Sequence, residues 1–128
     1  MEQRYLIDSN VLIDYLAERI PLAKQRFVER IFERQFIISV VAKIEVLGFD
    51  DLPHKIAAME DFVALAQVIP LNERIIQRTI MLRRCVKKLK IGDAIIAATA
   101  LEYKFVLLTR NVDDFKQIPD LRIENPHT

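Results

Sequence analysis

The chain has 128 residues, enough to bury one hydrophobic core without a disulfide or metal staple. Its 52% hydrophobic content excludes a disordered chain, and with only 2 glycines it is a poor match for a sandwich of many short strands and turns. A formal net charge of +1 sets up no global field toward nucleic acid or membrane, so any such binding has to come from a local patch.

Taken in chain order, apolar runs alternate with helical periods. Tyr5-Leu6-Ile7 forms a short strand, and a helix starts near Ser9 and carries Val11, Leu12 and Tyr15 inward. Asp14 and Glu18 fall on its exposed face. Pro21 suits a first helical position, and Ala23, Phe27 and Ile31 follow at helical spacing. Phe36-Ile37-Ile38 is a second buried strand, leading into a short helix through Ile44 and Leu47. Asp51 and Pro53 open another helix, with Ile56, Met59, Val63 and Ala66 on its inner side. Val68-Ile69 is a brief third strand.

Asn72 caps a long helix whose buried stripe comprises Ile75, Leu82, Val86 and Leu89. Cys85, the one cysteine, lies in that helix as core filler and fits a reduced, cytoplasmic setting. From Asp93 to Tyr103 a helix is apolar on almost every side, the mark of a buried helix. Phe105-Val106-Leu107-Leu108 is a fourth strand, and Leu121-Arg122-Ile123 an edge strand. No repeat or linker interrupts residues 1–128, which read as one domain. The start lacks the long apolar stretch of a secretory leader, and no run reaches the length of a membrane span.

Continuous apolar strands alternating with helices mean a parallel sheet covered on both faces. Such sheets hold ligands beyond the carboxyl ends of their strands, where the winding reverses. Polar residues stand at those ends. The first strand runs into Asp8, Ser9 and Asn10, and the second leads into a helix carrying Glu45. Asp93 opens the buried helix, and the fourth strand ends at Thr109, Arg110 and Asn111, with a turn at Asp113 and Asp114.

Clustered carboxylates repel one another, and without a cation some must take up protons. A divalent ion removes that penalty, and all-oxygen ligation selects hard ions such as Mg²⁺ or Mn²⁺. His54 and His127, the 2 histidines, lie outside these segments, so zinc is not the expected metal. Carboxylate-held Mg²⁺ or Mn²⁺, as one ion or two, activates water and stabilises the oxygens of a phosphoryl displacement. Each acid also has a plainer reading: Asp8 and Asp93 as helix caps, Glu45 as a surface residue, Asp113 or Asp114 as solvated turn residues. The four together favour the metal reading.

These residues resemble a known family. Leu6-Ile7-Asp8-Ser9-Asn10-Val11-Leu12-Ile13 resembles the opening motif of PIN domains. Gly92-Asp93-Ala94-Ile95-Ile96-Ala97-Ala98-Thr99-Ala100 resembles their third-acid helix, and Leu108-Thr109-Arg110-Asn111-Val112-Asp113-Asp114-Phe115 their closing loop. Glu45 falls where the second acid is expected, and Asn125-Pro126 is similar to the tail of the toxins of VapBC toxin–antitoxin systems. The resemblance implies a three-layer α/β/α fold with a parallel, five-stranded sheet and Mg²⁺- or Mn²⁺-dependent cleavage of RNA. It implies metal ligation by Asp8, Glu45 and Asp93, with the fourth acid mapping best to Asp114. Ser9, Thr109 and Asn111 would support the site through hydrogen bonds. A small antitoxin protein and a homodimer are the implied partners. Ser9 replaces the more usual threonine and keeps its hydroxyl. Gly92 stands where proline or another residue is often found and leaves the carboxylate in place.

Rival readings fare worse. A haloacid-dehalogenase-type phosphatase needs a second aspartate where this chain has Asn10. A phosphate-receiver domain needs a phosphorylatable aspartate after the third strand, which here ends in Pro70-Leu71-Asn72. A PIN-like nuclease acting in RNA or DNA processing stays open. The basic run Arg83, Arg84, Lys87, Lys88 and Lys90 reads as a solvated helix end whose cations favour the dipole. Arg110, beside the acids, is the better contact for a substrate phosphate. The apolar helices from Ala23 to Phe32 and Ile56 to Ala66 read as core, with a dimer or antitoxin surface as the alternative.

Overall fold

The computed structural model describes residues 3–128. Met1 and Glu2, part of the segment read for a leader, lie outside the described residues. Five short parallel strands form one sheet in the order β3-β2-β1-β4-β5. They are β1 (Tyr5–Ile7), β2 (Ile37–Ser39), β3 (Gln67–Ile69), β4 (Val106–Leu108) and β5 (Ile123–Glu124). Leu6 pairs with Ile37 on one side and Leu107 on the other, so the central strands stand in one register.

Alternation along these strands divides the core in two. Leu6, Ile37, Ile69 and Leu107 face a layer made by α5 (Glu73–Cys85), α6 (Ile91–Tyr103) and α7 (Val112–Phe115). Ile7, Ile38 and Leu108 face the opposite layer of α1 (Ser9–Leu16), α2 (Leu22–Glu33), α3 (Val40–Leu47) and α4 (Pro53–Val63). The three-layer α/β/α arrangement expected from the sequence is therefore the observed one. In the second layer, the rings of Tyr15, Phe32, Phe36 and Phe62 pack face to face and edge to face with centroids as close as 4.2 Å, which places these members of α2 and α4 against the core. Among the described residues no helix is long and apolar enough to cross a membrane.

Local chemistry sets most boundaries. The Asn72 Oδ1 accepts the Ile75 N–H at 2.9 Å and caps α5 as expected. The far end of that helix differs from expectation. α5 stops at Cys85; Val86 is extended and Lys88 has φ 67°, so Val86 and Leu89 pack from a loop. The chain must turn there to return as α6 antiparallel to α5, and helical spacing alone does not register such a turn. Cys85 is exposed, correcting its reading as core filler. α6 begins at Ile91, ahead of Asp93, and ends at Lys104 in the left-handed conformation, with φ 58°.

Candidate functional site

The strand order reverses at β1. The chain passes from β1 outward through β2 to β3, then returns to place β4 on the other flank of β1. Crossover helices leave to opposite faces at this point, opening a crevice at the carboxyl ends of β1 and β4. Asp8 follows β1 directly, and its N–H donates to the Leu108 carbonyl of β4 at 2.9 Å. That bond holds the β1 end against the β4 end and fixes where the carboxylate starts.

Asp8 is 4% exposed and also forms the N-cap of α1. Its Oδ1 accepts the Ser9 N–H at 2.8 Å, and its Oδ2 accepts the Thr109 hydroxyl at 2.8 Å and the Asn10 Nδ2 at 3.0 Å. Burial pushes the Asp8 carboxyl above its ordinary range. The hydrogen bonds from Thr109, the Ser9 main chain and Asn10 pull it back, while the charge of Asp114 raises it further. Three donors and the positive end of a helix thus fix the orientation of this carboxylate and favour its charged form.

The other acids gather around it from separate elements. Glu45, on α3, keeps an exposed side chain, yet partial desolvation raises its carboxyl first and the charge of Asp8 next; the Ser9 side chain lowers it and Asp93 raises it again. Asp93, in the first turn of α6, is raised by burial, then by Asp8 and Asp114, and lowered by Lys90. It does not occupy the cap of its helix, a position held by Lys90 without a side-chain bond. Asp114, in α7, acts on both Asp8 and Asp93. Its neighbour Asp113 turns away to an ion pair with Lys116 at 3.1 Å. The four acids expected from the sequence therefore share one electrostatic neighbourhood, in which Lys90 acts on Asp93.

Among the described residues no three His, Cys, Asp or Glu side chains converge tightly enough to grip an ion as they lie. The donor set nonetheless fits a hard cation, being all oxygen and mutually repelling. Mg²⁺ commonly keeps several waters and takes one or two carboxylates directly. A concavity of about 980 Å³, lined by Arg4, Arg26, Phe27 and Arg30 among others, lies at the opposite ends of the strands and takes no part in this cluster.

The supporting residues are placed with one substitution of roles. Thr109 is buried and bonds Asp8, while Asn111 contributes its main-chain N–H to the Thr109 Oγ1 at 3.0 Å. Side-chain support comes from Asn10, whose Nδ2 also reaches the Thr109 Oγ1 at 3.3 Å and whose Oδ1 accepts the Arg110 N–H at 3.1 Å. Asp14 and His127 take part in a contact beside the site that local sequence chemistry does not signal. Asp14, expected on an exposed face, is 1% exposed. Its Oδ2 meets the Arg110 Nη1 at 2.9 Å and the His127 Nε2 at 3.0 Å. The α1 periodicity does place position 14 beside the buried Val11, and only the aspartate's polarity argued for solvent. Arg110 thus has a protein partner at one nitrogen, and its side chain remains partly open.

A parallel sheet that switches at β1, with acids collected at that switch, defines an α/β domain of nuclease type; residues 5–121 match the PIN domain, and the chain belongs to that family. Solved structures agree with this. A chain of a toxin–antitoxin complex from Klebsiella pneumoniae is 30% identical with a TM-score of 0.76, covering 95% of this chain and 97% of that one. A chain of VapBC2 from Rickettsia felis, bound to a DNA fragment from their promoter, has a TM-score of 0.80 at 20% identity, covering 96% and 98%. VapBC-1 from nontypeable Haemophilus influenzae gives 0.78 at 24%, covering 98% and 100%. The last two, at lower identity, speak for the fold. A search of curated proteins finds no significant match.

Proposed function

We propose that this chain is a metal-dependent endoribonuclease, acting as the toxin of a toxin–antitoxin pair. The observation that carries the reading is Asp8, buried at the strand-order switch and held by three donors within the field of three further carboxylates. Family membership and the similarity to toxin–antitoxin complexes support the nuclease and toxin parts.

Asp8, Glu45, Asp93 and Asp114 are the residues that would hold Mg²⁺ or Mn²⁺. Such an ion, when bound, supplies water activation and charge neutralisation at the phosphoryl oxygens. The chain's own residues do the rest. Thr109, Asn10 and the Ser9 N–H aim Asp8, the Ser9 side chain favours the charged form of Glu45, and the open side of Arg110 offers a contact for a substrate phosphate. RNA is the substrate, a small antitoxin the regulating partner, a homodimer the assembly, and the cytoplasm the setting.

Purified protein should cut RNA with Mg²⁺ or Mn²⁺, and Asp8→Asn and Asp93→Asn should each lose cleavage while staying folded. Wild-type rates in Asp93→Asn would remove it from the ligand set. Induced expression in bacteria should arrest growth for the wild type and spare cells making Asp8→Asn. Equal growth at equal protein levels would replace the toxin reading with that of a processing nuclease.

A further inference from the structure

Asp14 is a buried carboxylate that the acid cluster does not use. It lies in the second turn of α1, and cationic or donor groups meet it from three places. Arg110 comes from the loop after β4, at 2.9 Å and 96 positions away in sequence. His127 comes from the carboxyl-terminal segment, at 3.0 Å and 113 positions away. Arg19 approaches the other oxygen at 3.9 Å, and its N–H donates to the Asp14 carbonyl at 2.8 Å. An apolar residue would fill this position at lower desolvation cost, and the best-attested use of a buried ionic contact is to fix one register of the elements it joins.

The segment so held is the one that completes the acid site. The Arg110 N–H donates to the Asn10 Oδ1, Asn10 and Thr109 both donate to the Asp8 Oδ2, and the Asn111 N–H donates to the Thr109 Oγ1. Arg110 is thus gripped twice, at its main chain from Asn10 and at its guanidinium from Asp14. Thr109 lies one residue before it, and α7 with Asp114 begins two residues after it. On the carboxyl-terminal side, the His127 N–H bonds the Asn125 Oδ1 at 2.8 Å and Pro126 is buried. The tail is therefore a second wall of the same clamp.

We propose that Asp14 is a positioning residue. Through Arg110 and His127 it locks the loop of residues 109–111 and the carboxyl-terminal tail against α1, so that Thr109 and Asp114 stand in place for Asp8. The inference rests on the nuclease reading above, and its test separates the two. Wild type, Asp14→Asn, Arg110→Gln, Arg110→Lys and the Asp14→Asn/Arg110→Gln pair are compared, with Asp8→Asn as control. Three properties are measured: kcat and KM for RNA, the Mn²⁺ concentration giving half the full thermal shift, and hydrogen exchange at the Arg110 and Asn111 amides.

Asp14→Asn, nearly isosteric, should lower kcat about tenfold or more and raise the Mn²⁺ half-saturation by a similar factor, with KM nearly unchanged. The two amides should exchange faster while that of Leu107 in β4 does not. Arg110→Gln should reproduce the changes in kcat, half-saturation and amide exchange, and should also raise KM through its lost phosphate contact; Arg110→Lys should recover most of them. The double variant should be no worse than the poorer single one. Wild-type kcat, half-saturation and amide exchange in folded Asp14→Asn overturn the proposal, as do fully additive effects in the pair. Cleavage that survives in Asp8→Asn overturns the nuclease reading instead, and the amide exchange of Asp14→Asn still decides the clamp.

Discussion

Asp93 differs from an ordinary helix-terminal aspartate in what surrounds it. It occupies the first turn of α6, where the helix dipole favours a negative charge, yet burial and the charges of Asp8 and Asp114 hold its carboxyl above the usual range. Asp8 and Glu45 are raised in the same direction. In the unfolded chain these groups titrate at about 4, so the native state keeps their protons to higher pH. The stability this confers is fully present below the unfolded value and is lost as pH rises through the raised native values. Metal-free protein should therefore melt at a lower temperature at pH 7 than its other groups alone would set. Asp93→Asn should raise the melting temperature at pH 7 in EDTA and flatten the decline with pH. Calorimetric scans across pH 4.5–7.5 check this (a range that spans roughly the unfolded value to neutrality). A lower melting temperature for Asp93→Asn at pH 7 would mean that its dipole interaction outweighs the repulsion.

At the scale of the element, α6 shows how a site helix accommodates its two ends. Its middle is buried alanine and isoleucine between the sheet and α5, which leaves little freedom there. Its ends are less well chosen. A Cβ on Gly92 would meet the Val41 side chain at 3.5 Å, an ordinary contact, and Gly92 has no positive φ. Gly92→Ala should therefore stabilise the fold by up to about 1 kcal/mol, mainly by restricting the unfolded chain. At the other end Lys104 carries φ 58°, a conformation that favours glycine. Lys104→Gly should add about 1 kcal/mol by removing that strain. Urea unfolding of the two variants measures both effects, and the pair should be additive because the sites lie at opposite ends of the helix.

For the whole molecule, the carboxylate cluster links folding to metal. A ligand bound only by the native state stabilises by RT ln(1 + [L]/Kd), about 2.7 kcal/mol at a hundredfold excess over Kd. In a domain of this size that corresponds to a rise of about 10 °C in melting temperature. Mn²⁺ or Mg²⁺ should produce such a rise in the wild type and a smaller one in Asp93→Asn. An undiminished shift in the mutant would leave Asp93 outside the metal's reach. The same melts locate the repulsion, since EDTA should lower the melting temperature of metal-loaded wild type more than that of the mutant.

The strands, the buried α6 and the presence of acids at the strand ends were legible because each leaves a local mark, whereas the choice of Asp114 over Asp113 came from the family resemblance. Continuous apolar runs announce a sheet covered on both faces, and a polar residue ending such a run has to face the crevice beyond it. Asp8 and Thr109 needed no more than that. Where helix α5 stops was not legible, because Val86 and Leu89 continue its apolar spacing while the chain has already turned. Cys85 was misplaced for the same reason, its burial having been inferred from a helix that ends with it. Asp14 shows the deeper limit. Sequence treats a carboxylate on a helix as solvent-facing by default, and position 14 is buried because Arg110 and His127 arrive from segments 96 and 113 residues away. The choice of Asn10 over Asn111 as the side-chain partner of Thr109 has the same origin. Periodicity and strand-end chemistry are properties of neighbouring residues, so the sequence by itself determined the layers and the polar character of the strand ends. Pairing between distant charges depends on how the layers close, and only the tertiary structure decided it.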